Sequence, residues 1–388
     1  MKVLHQDWPV LIVSHGYENI YERGFCNGLV DFGYESLLVS SDRTDYAGLR
    51  PALKWINLRG SQDESRPKWL KVANILWYYA RLMSFVALRR RYIVHSIGLI
   101  DPALLCGVFL GSWFRVFARR YVMTVHDLLP HDRETRWNEH LYGISFRMTD
   151  FLVVHTVKMR DDLIRRYRVR PERVYVMEHG LEPMADKRAR AFPAPVQAAD
   201  GARRLHLLFF GKVMRYKGVD VLLDALARVS FPFELVIAGK SSSGDLTKEL
   251  RERIAAHPHA SSIHWDNEYV PESELDGLFT NANALVLPYR KIDQSGVLFQ
   301  ALRFGLPIVA TRVGTFSNYV KDSIGELCEV DDAGAFAQGL ERLYARVETL
   351  DRTRIAAFGA TFEWQRTVAA LGAVYDRNRD RDSRSVPA

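Results

Sequence analysis

A glycine and two lysines share one short turn in this chain. The apolar run Leu207-Leu208-Phe209-Phe210 empties into Gly211-Lys212, and Lys217-Gly218 close the turn before a helical pattern from Val219 to Val229. Such a turn can hold an anion. The glycine lets the backbone approach, a helix start offers N–H groups, and the two lysines supply charge. The spacing is not GxxxxGK[ST], so this is not a Walker-type phosphate loop. A solvated basic turn has the same composition, and the turn alone does not separate the two readings.

The elements that must position this turn alternate strand with helix. In the first half, Val10–Ser14, Ser36–Ser40, Tyr92–His95, Tyr121–His126, Phe151–His155 and Val174–Met177 read as strands. Glu22–Phe32, Trp69–Leu88, Pro102–Phe117 and Lys158–Tyr167 read as helices. Residues 182–204 carry Pro183, Pro193 and Pro195 without periodicity, as a linker would. The alternation then restarts. Leu205–Phe210, Phe233–Ala238, Ser262–Trp265, Ala284–Pro288 and Pro307–Thr311 read as strands, and Leu246–Ala256, Glu272–Asn281, Val297–Phe304 and Ala333–Leu350 as helices. This predicts an α/β protein with two Rossmann-like doubly wound domains and a central cleft at the carboxyl ends of their strands. The expected division is residues 1–186, a linker 187–203, a second domain 204–360, a C-terminal helix 361–375 packing back on the first domain, and a disordered tail 376–388.

Composition narrows the classes. At 388 residues and 48% hydrophobic, the chain can bury large cores. No apolar run is long enough to span a bilayer, and the first residues lack the apolar stretch of a signal peptide. Three widely spaced cysteines, Cys26, Cys106 and Cys328, fit no disulfide framework and no zinc site, as in a reducing compartment. These readings predict a cytoplasmic protein. The net charge of +7 suits nucleic acid, anionic lipid or a phosphorylated substrate alike.

Four separated segments resemble the retaining glycosyltransferases of the GT-B fold in the family called GT4. Phe209-Phe210-Gly211-Lys212 followed by Lys217-Gly218-Val219-Asp220-Val221-Leu222-Leu223-Asp224-Ala225 is similar to that family's FxGR…KGxDxLLxA. Val176-Met177-Glu178-His179-Gly180 is similar to its V-I-x-H/N-G, and Thr124-Val125-His126-Asp127 to its TxHD. The run from Ser295-Gly296-Val297 through Gln300-Ala301 and Gly305-Leu306-Pro307 to Thr311 resembles its GxxxxEAxAxGxPVVAT. Phe362-Glu363-Trp364 resembles its closing F-S-W. The likeness covers residues 90–375 and is weaker before them.

The resemblance implies roles. Lys212 and Lys217 would hold the diphosphate of a nucleotide-sugar donor and stabilise the leaving group as charge builds on it. Lys212 stands where the family usually has arginine, so a point charge replaces a bidentate fork. His126 would sit at the reaction centre, orienting the donor sugar and stabilising developing positive charge through its backbone carbonyl. A loop histidine capping the next turn is the plain alternative. His179, Gly211, Ser295, Gly296 and Val297 fall at substrate-contacting positions. Gly16 sits where the family often has a Gly-rich turn, but the second glycine of that turn is absent, and an ordinary tight turn explains it equally well. His126 and His131 are five apart, not the three or four of ligands on one helix face, so no metal is assigned.

The acidic pair departs from the pattern. The family has two glutamates with seven residues between them, the second just before the alanine matched by Ala301. Here that second position is Gln300, and the nearest first acid is Asp293, one residue too close. Glutamine can still hydrogen-bond a ribose diol, without the stronger bonds of a carboxylate.

Trp69–Arg91 mixes aromatic residues with Lys71, Arg81, Arg89, Arg90 and Arg91. It reads either as a half-buried helix ending in a basic loop or as a segment lying on an anionic membrane. No nucleic-acid module is recognisable. What the resemblance implies as a whole is a retaining, metal-independent hexosyltransferase without cofactor. It would use a nucleotide-diphosphate sugar and a saccharide or lipid-linked acceptor in surface polysaccharide or glycolipid synthesis, and be peripheral on the inner face of the membrane. The rival is a catalytically weak or inactive GT-B module that binds a nucleotide or partner, which Gln300 and the shortened acid spacing motivate.

Overall fold

The computed structural model describes residues 8–14, 19–63, 65–98, 105–126, 128, 135–181, 196–197, 203–292 and 295–375. Gly16, Asp127, His131, Asp293, most of the linker and the tail 376–388 lie outside the described residues. The chain divides into two compact units, one of residues 1–182 with 362–388, the other of residues 183–361.

Among the described residues, the first unit holds seven strands: β1 Val10–Val13, β2 Ser36–Ser40, β3 Lys54–Asn57, β4 Ile93–Ile97, β5 Arg120–Val125, β6 Phe151–Val154 and β7 Val174–Val176. Their order is β3-β2-β1-β4-β5-β6-β7, and every pairing is parallel. Strands such as VLIV and FLVV are continuous apolar runs because helices cover both faces of the sheet. One core layer gathers Leu11, Val94, Met123 and Leu152 with Tyr78, Leu82 and Phe85 of the helix Lys68–Leu88. The other gathers Val10, Ile12, Ile93 and Val122 with Phe25 and Leu29 of the helix Asn19–Phe32. Thr135 and Thr156 start the helices Arg136–Met148 and Val157–Tyr167 by accepting from the N–H groups of Asn138 and Met159.

The C-terminal stretch belongs to this second layer. It is not one helix but a run of short turns, Trp364–Thr367, Val368–Leu371 and Gly372–Tyr375. Leu181 N–H donates to Phe362 O at 2.7 Å, and Trp364 N–H donates back to Leu181 O at 2.9 Å. The Trp364 indole lies so close to Gly24 and Gly180 that a Cβ on either would stand 2.0 Å from it. Only glycine leaves that space.

The second unit repeats the plan with β8 Val196–Gln197, β9 Arg203–Phe210, β10 Phe233–Ala238, β11 Ile263–His264, β12 Ala284–Leu287, β13 Ile308–Thr311 and β14 Gly325–Cys328. The parallel order is β11-β10-β9-β12-β13-β14, with β8 antiparallel beside β9. The strand expected at Ser262–Trp265 shrinks to two residues, because Ala260–Ser262 is a 3-10 turn. The helix expected to reach Leu350 ends at Arg346 and passes into a 3-10 turn, Val347–Thr349.

Candidate functional site

In the second unit, strand order reverses between β9 and β12, and a doubly wound sheet binds ligands beyond the carboxyl ends of its strands at that point. Gly211 follows β9 with φ at +101°, and Pro288-Tyr289-Arg290 follow β12. Between them the 3-10 turn Arg215–Lys217 carries Lys217 inward, leaving it 8% exposed. Its ammonium stands 3.0 Å from where a Cβ would lie on Gly211 and 5.5 Å from the centre of the Tyr289 ring. Gly218 ends the turn at φ +68°, and a Cβ there would meet the Pro288 carbonyl at 2.0 Å. Both the conformation and the close approach require glycine.

Arg290 ties this turn to the end of β12. Its guanidinium donates to both Asp220 oxygens, at 2.9 and 2.7 Å, to Asp331 at 2.8 Å and to the Arg215 carbonyl at 2.9 Å. Half-burial pushes the Asp220 carboxyl up, but the Arg290 fork outweighs it and holds the carboxyl below the usual range. Among the described residues, no carboxylate opposes the charge of Lys217 in this way. Burial, helped by the neighbouring Lys212 charge, pulls its ammonium down to about 8. A buried cation without a matched anion suits a site that receives an anion.

The helix Gly296–Arg303 presents its start to the same place. Val297 Cγ2 stands 3.6 Å from the Gly211 Cβ position, and Ser295 is buried at the N-cap. First-turn N–H groups point out of a helix and favour negative charge. The fold thus brings Gly211, Lys217 and Val297 together, with Ser295 and Gly296 adjoining. Lys212 is exposed beside Gly211. Gln300 is half-buried one turn into the helix, its Oε1 3.5 Å from Arg303 Nη1. Asp293 lies outside the described residues.

The first unit gathers histidines. The Tyr21 ring meets His126 edge-on at 4.5 Å, His179 at 5.3 Å, His155 at 5.5 Å and Trp364 at 4.8 Å between centroids. His126 follows β5, His155 follows β6 and His179 lies beyond β7. His179 Nδ1 donates to the Gly180 carbonyl at 2.8 Å, and His155 Nδ1 to the Met177 carbonyl at 2.9 Å. Burial pulls His126 and His179 down to about 4, with the His179 charge a second cause at His126. Both rings are neutral near pH 7, so they can orient hydroxyl groups by hydrogen bonding without adding charge. Glu22 lies on the helix after β1, buried, with Ser14 and Thr44 as hydrogen-bond partners. Burial outweighs those bonds and raises its carboxyl above the usual range. Among the described residues, no three His, Cys, Asp or Glu side chains are placed to hold a metal ion.

The family model described as Glycosyltransferase Family 4 matches residues 20–184, and the model described as Glycosyl transferases group 1 matches residues 204–346. The chain belongs to the family 4 glycosyltransferases. Among curated relatives of this family 4 chain, the D-inositol 3-phosphate glycosyltransferase of Streptomyces griseus is 28% identical over 58% of the chain and 53% of that protein. The one from Arthrobacter sp. is 31% identical over 61% of the chain and 58% of that protein. The chain thus spans a little over half the length of these relatives. Sucrose-phosphate synthase from Thermosynechococcus elongatus superposes with a TM-score of 0.70 at 17% identity, covering 97% of this chain and all of that one. HepE of Anabaena, solved in complex with UDP and glucose, gives 0.67 at 15% identity, covering 98% of this chain and all of that one. These likenesses show the fold of the family 4 chain, two Rossmann-like domains of the GT-B class. They do not carry ligands across.

The Arg290–Asp220 fork is not legible in the sequence, although Asp220 stands inside the KGxD segment. Tyr21 and Glu22 are equally hidden there, and His155 reads only as the end of a strand. Gln300 yields a test. Gln300→Glu is expected to keep or improve nucleotide-sugar affinity, by up to about tenfold, since a carboxylate bonds hydroxyls more strongly. Gln300→Leu is expected to weaken it by a similar factor, because hydroxyls are desolvated without partners. Isothermal titration of all three proteins decides, and equal affinities would make Gln300 a packing residue.

Proposed function

We propose that this chain transfers a sugar, with retention of anomeric configuration and without a metal ion, from a nucleoside-diphosphate donor to a hydroxyl acceptor. The observation that carries the reading is the Lys217 ammonium, buried against Gly211 where the sheet order reverses and beside the start of the helix Gly296–Arg303. As the bond between the anomeric carbon and the phosphate oxygen breaks, charge builds on the leaving diphosphate. Lys217, Lys212 and the first-turn N–H groups then hold it more tightly than they hold the donor, which lowers the barrier. The acceptor hydroxyl forms the new bond on the same face, and its proton passes to the departing phosphate oxygen. The neutral His126 and His179 orient sugar hydroxyls. The family resemblance supports a lipid-linked saccharide as acceptor. A phosphorylated polyol is the second reading, favoured by the printed name of the curated relatives.

Thermal shift with UDP-, GDP-, ADP- and CDP-sugars, followed by turnover of the donor that binds, tests this. One donor is expected to stabilise the fold by roughly 3 kcal/mol at a hundred times its Kd. Transfer in excess EDTA is expected at the rate without EDTA. Loss in EDTA restored by magnesium or manganese would end the metal-free reading. Binding without turnover across lipid-linked and phosphorylated acceptors would favour a non-catalytic module.

A further inference from the structure

The helix Lys68–Leu88 carries an apolar face on each side. Tyr78, Leu82, Phe85 and Val86 enter the core of the first unit. A surface helix of this kind normally turns polar residues outward. Here the outward positions, at helical spacing, are Trp69, Val72, Ala73, Leu76, Trp77 and Ala80. Trp69 is 70% exposed, Trp77 64%, Leu76 61% and Val72 56%. The stripe runs about 16 Å along the helix. Among the described residues, no helix is long and apolar enough to cross a membrane.

Charge identifies what would cover this face. From Arg66 to Ile100 the chain has seven lysines and arginines and no aspartate or glutamate. Arg66 and Lys68 are exposed before the stripe, and Arg89, Arg90 and Arg91 are exposed after it. The last three stack over the rings of Phe85, Phe117 and Tyr92 at 4.0, 5.1 and 5.8 Å. That stacking holds cations at the end of the apolar stripe. A two-fold contact with a second copy would set these cations against one another, because the same patch faces itself across the axis. A surface of anionic lipid accepts both features. Tryptophan and leucine side chains enter the boundary between headgroups and acyl chains, and arginines pair with the headgroups.

We propose that the outward face of Lys68–Leu88 docks the chain on an anionic membrane, the helix lying in the plane of the surface. Co-sedimentation of the whole chain with vesicles of phosphatidylcholine and phosphatidylglycerol tests this without donor or acceptor, so it stands or falls apart from the transfer reading. The chain is expected to sediment with these vesicles, not with phosphatidylcholine alone, and to be released as salt rises. Trp69→Ser with Trp77→Ser is expected to abolish binding. Arg89→Ser, Arg90→Ser and Arg91→Ser together are expected to lower the partition coefficient roughly tenfold or more. Unchanged melting by circular dichroism shows that the variants remain folded. Absence of binding, or binding indifferent to the tryptophans, would overturn the proposal. A dimer in sedimentation velocity that the tryptophan changes dissociate would give the face to a second copy instead.

Discussion

Lys217→Ala is expected to lower kcat/KM for sugar transfer about a hundredfold or more, with the fold intact. Removing one positioned charge from a developing oxyanion costs on the order of 3 kcal/mol, and Lys217 is the buried cation of the second unit's site. Its pKa gives an independent check. Burial first, and the Lys212 charge second, hold the free ammonium near 8. An unfolded lysine titrates near 10.4. Between those values the unfolded chain binds the proton more tightly, so stability rises with pH across that window. Keeping Lys217 charged below pH 8 therefore costs the fold about 3 kcal/mol. Lys217→Met, which fills the space without the charge, is expected to melt no lower than the parent while losing transfer. Donor binding runs the other way. A diphosphate favours the charged lysine, so binding near pH 8 to 9 takes up a proton, and kcat/KM falls as pH rises above about 8. Initial rates against pH, with calorimetry in buffers of different ionisation enthalpy, measure both. A full rate in Lys217→Ala, or no alkaline limb in the parent, would sink the diphosphate assignment.

Much of the sheet was legible because parallel strands buried on both faces are short apolar runs. VLIV, FLVV, FELVIA and ALVL announce themselves. The strand Lys54–Asn57 did not, because an edge strand half open to solvent needs no such run, and KWIN has none. The strand Gly325–Cys328 hid for a different reason. Gly325 lies against the Ile308 backbone, where a Cβ would stand 1.8 Å from the carbonyl, so a residue that reads as a turn is required inside the sheet. Of the candidate site, Gly211, Lys212 and Lys217 were legible from a strand end followed by glycine and charge. The cluster around Tyr21 was not. Tyr21, His126, His155 and His179 come from four separate segments, after β1, β5, β6 and β7, and only the strand order makes them neighbours. The same holds for Arg290 and Asp220, 70 residues apart.

Acid is expected to unfold the first unit well above the pH at which ordinary carboxylates titrate. His95 and His155 are fully buried, whereas His126 and His179 keep some contact with water and contribute less. Burial pulls His95 down to about 3, with the His126 charge a smaller cause, and takes His155 well below its usual value. The contacts agree. His95 lies between Thr124 Oγ1, 2.8 Å from Nε2, and the Tyr375 hydroxyl at Nδ1. His155 spends its Nδ1 proton on Met177 O, and its Nε2 is buried without a partner among the described residues, so a second proton would have no acceptor there. An unfolded histidine titrates near 6.5. Below that value the unfolded chain binds protons that the fold refuses, so stability is lost as pH falls from about 6.5. His95, held near 3, costs about 1.4 kcal/mol per pH unit below 6.5, on the order of 2 kcal/mol by pH 5, and His155 adds to the loss in the same direction. Against the 5–15 kcal/mol typical of a domain, that is a substantial part. The raised carboxyl of Glu22 acts in the opposite sense, since it takes up a proton more readily when folded, but it is one group against several. Urea melts by circular dichroism between pH 7.5 and 5 read the slope. His155→Gln, which can still donate to Met177 O, is expected to be less stable at pH 7.5 yet to flatten the slope by about one proton. A parent whose stability is level across that range would mean that these rings are hydrated and titrate normally, and the neutral-imidazole account of the site would go with them.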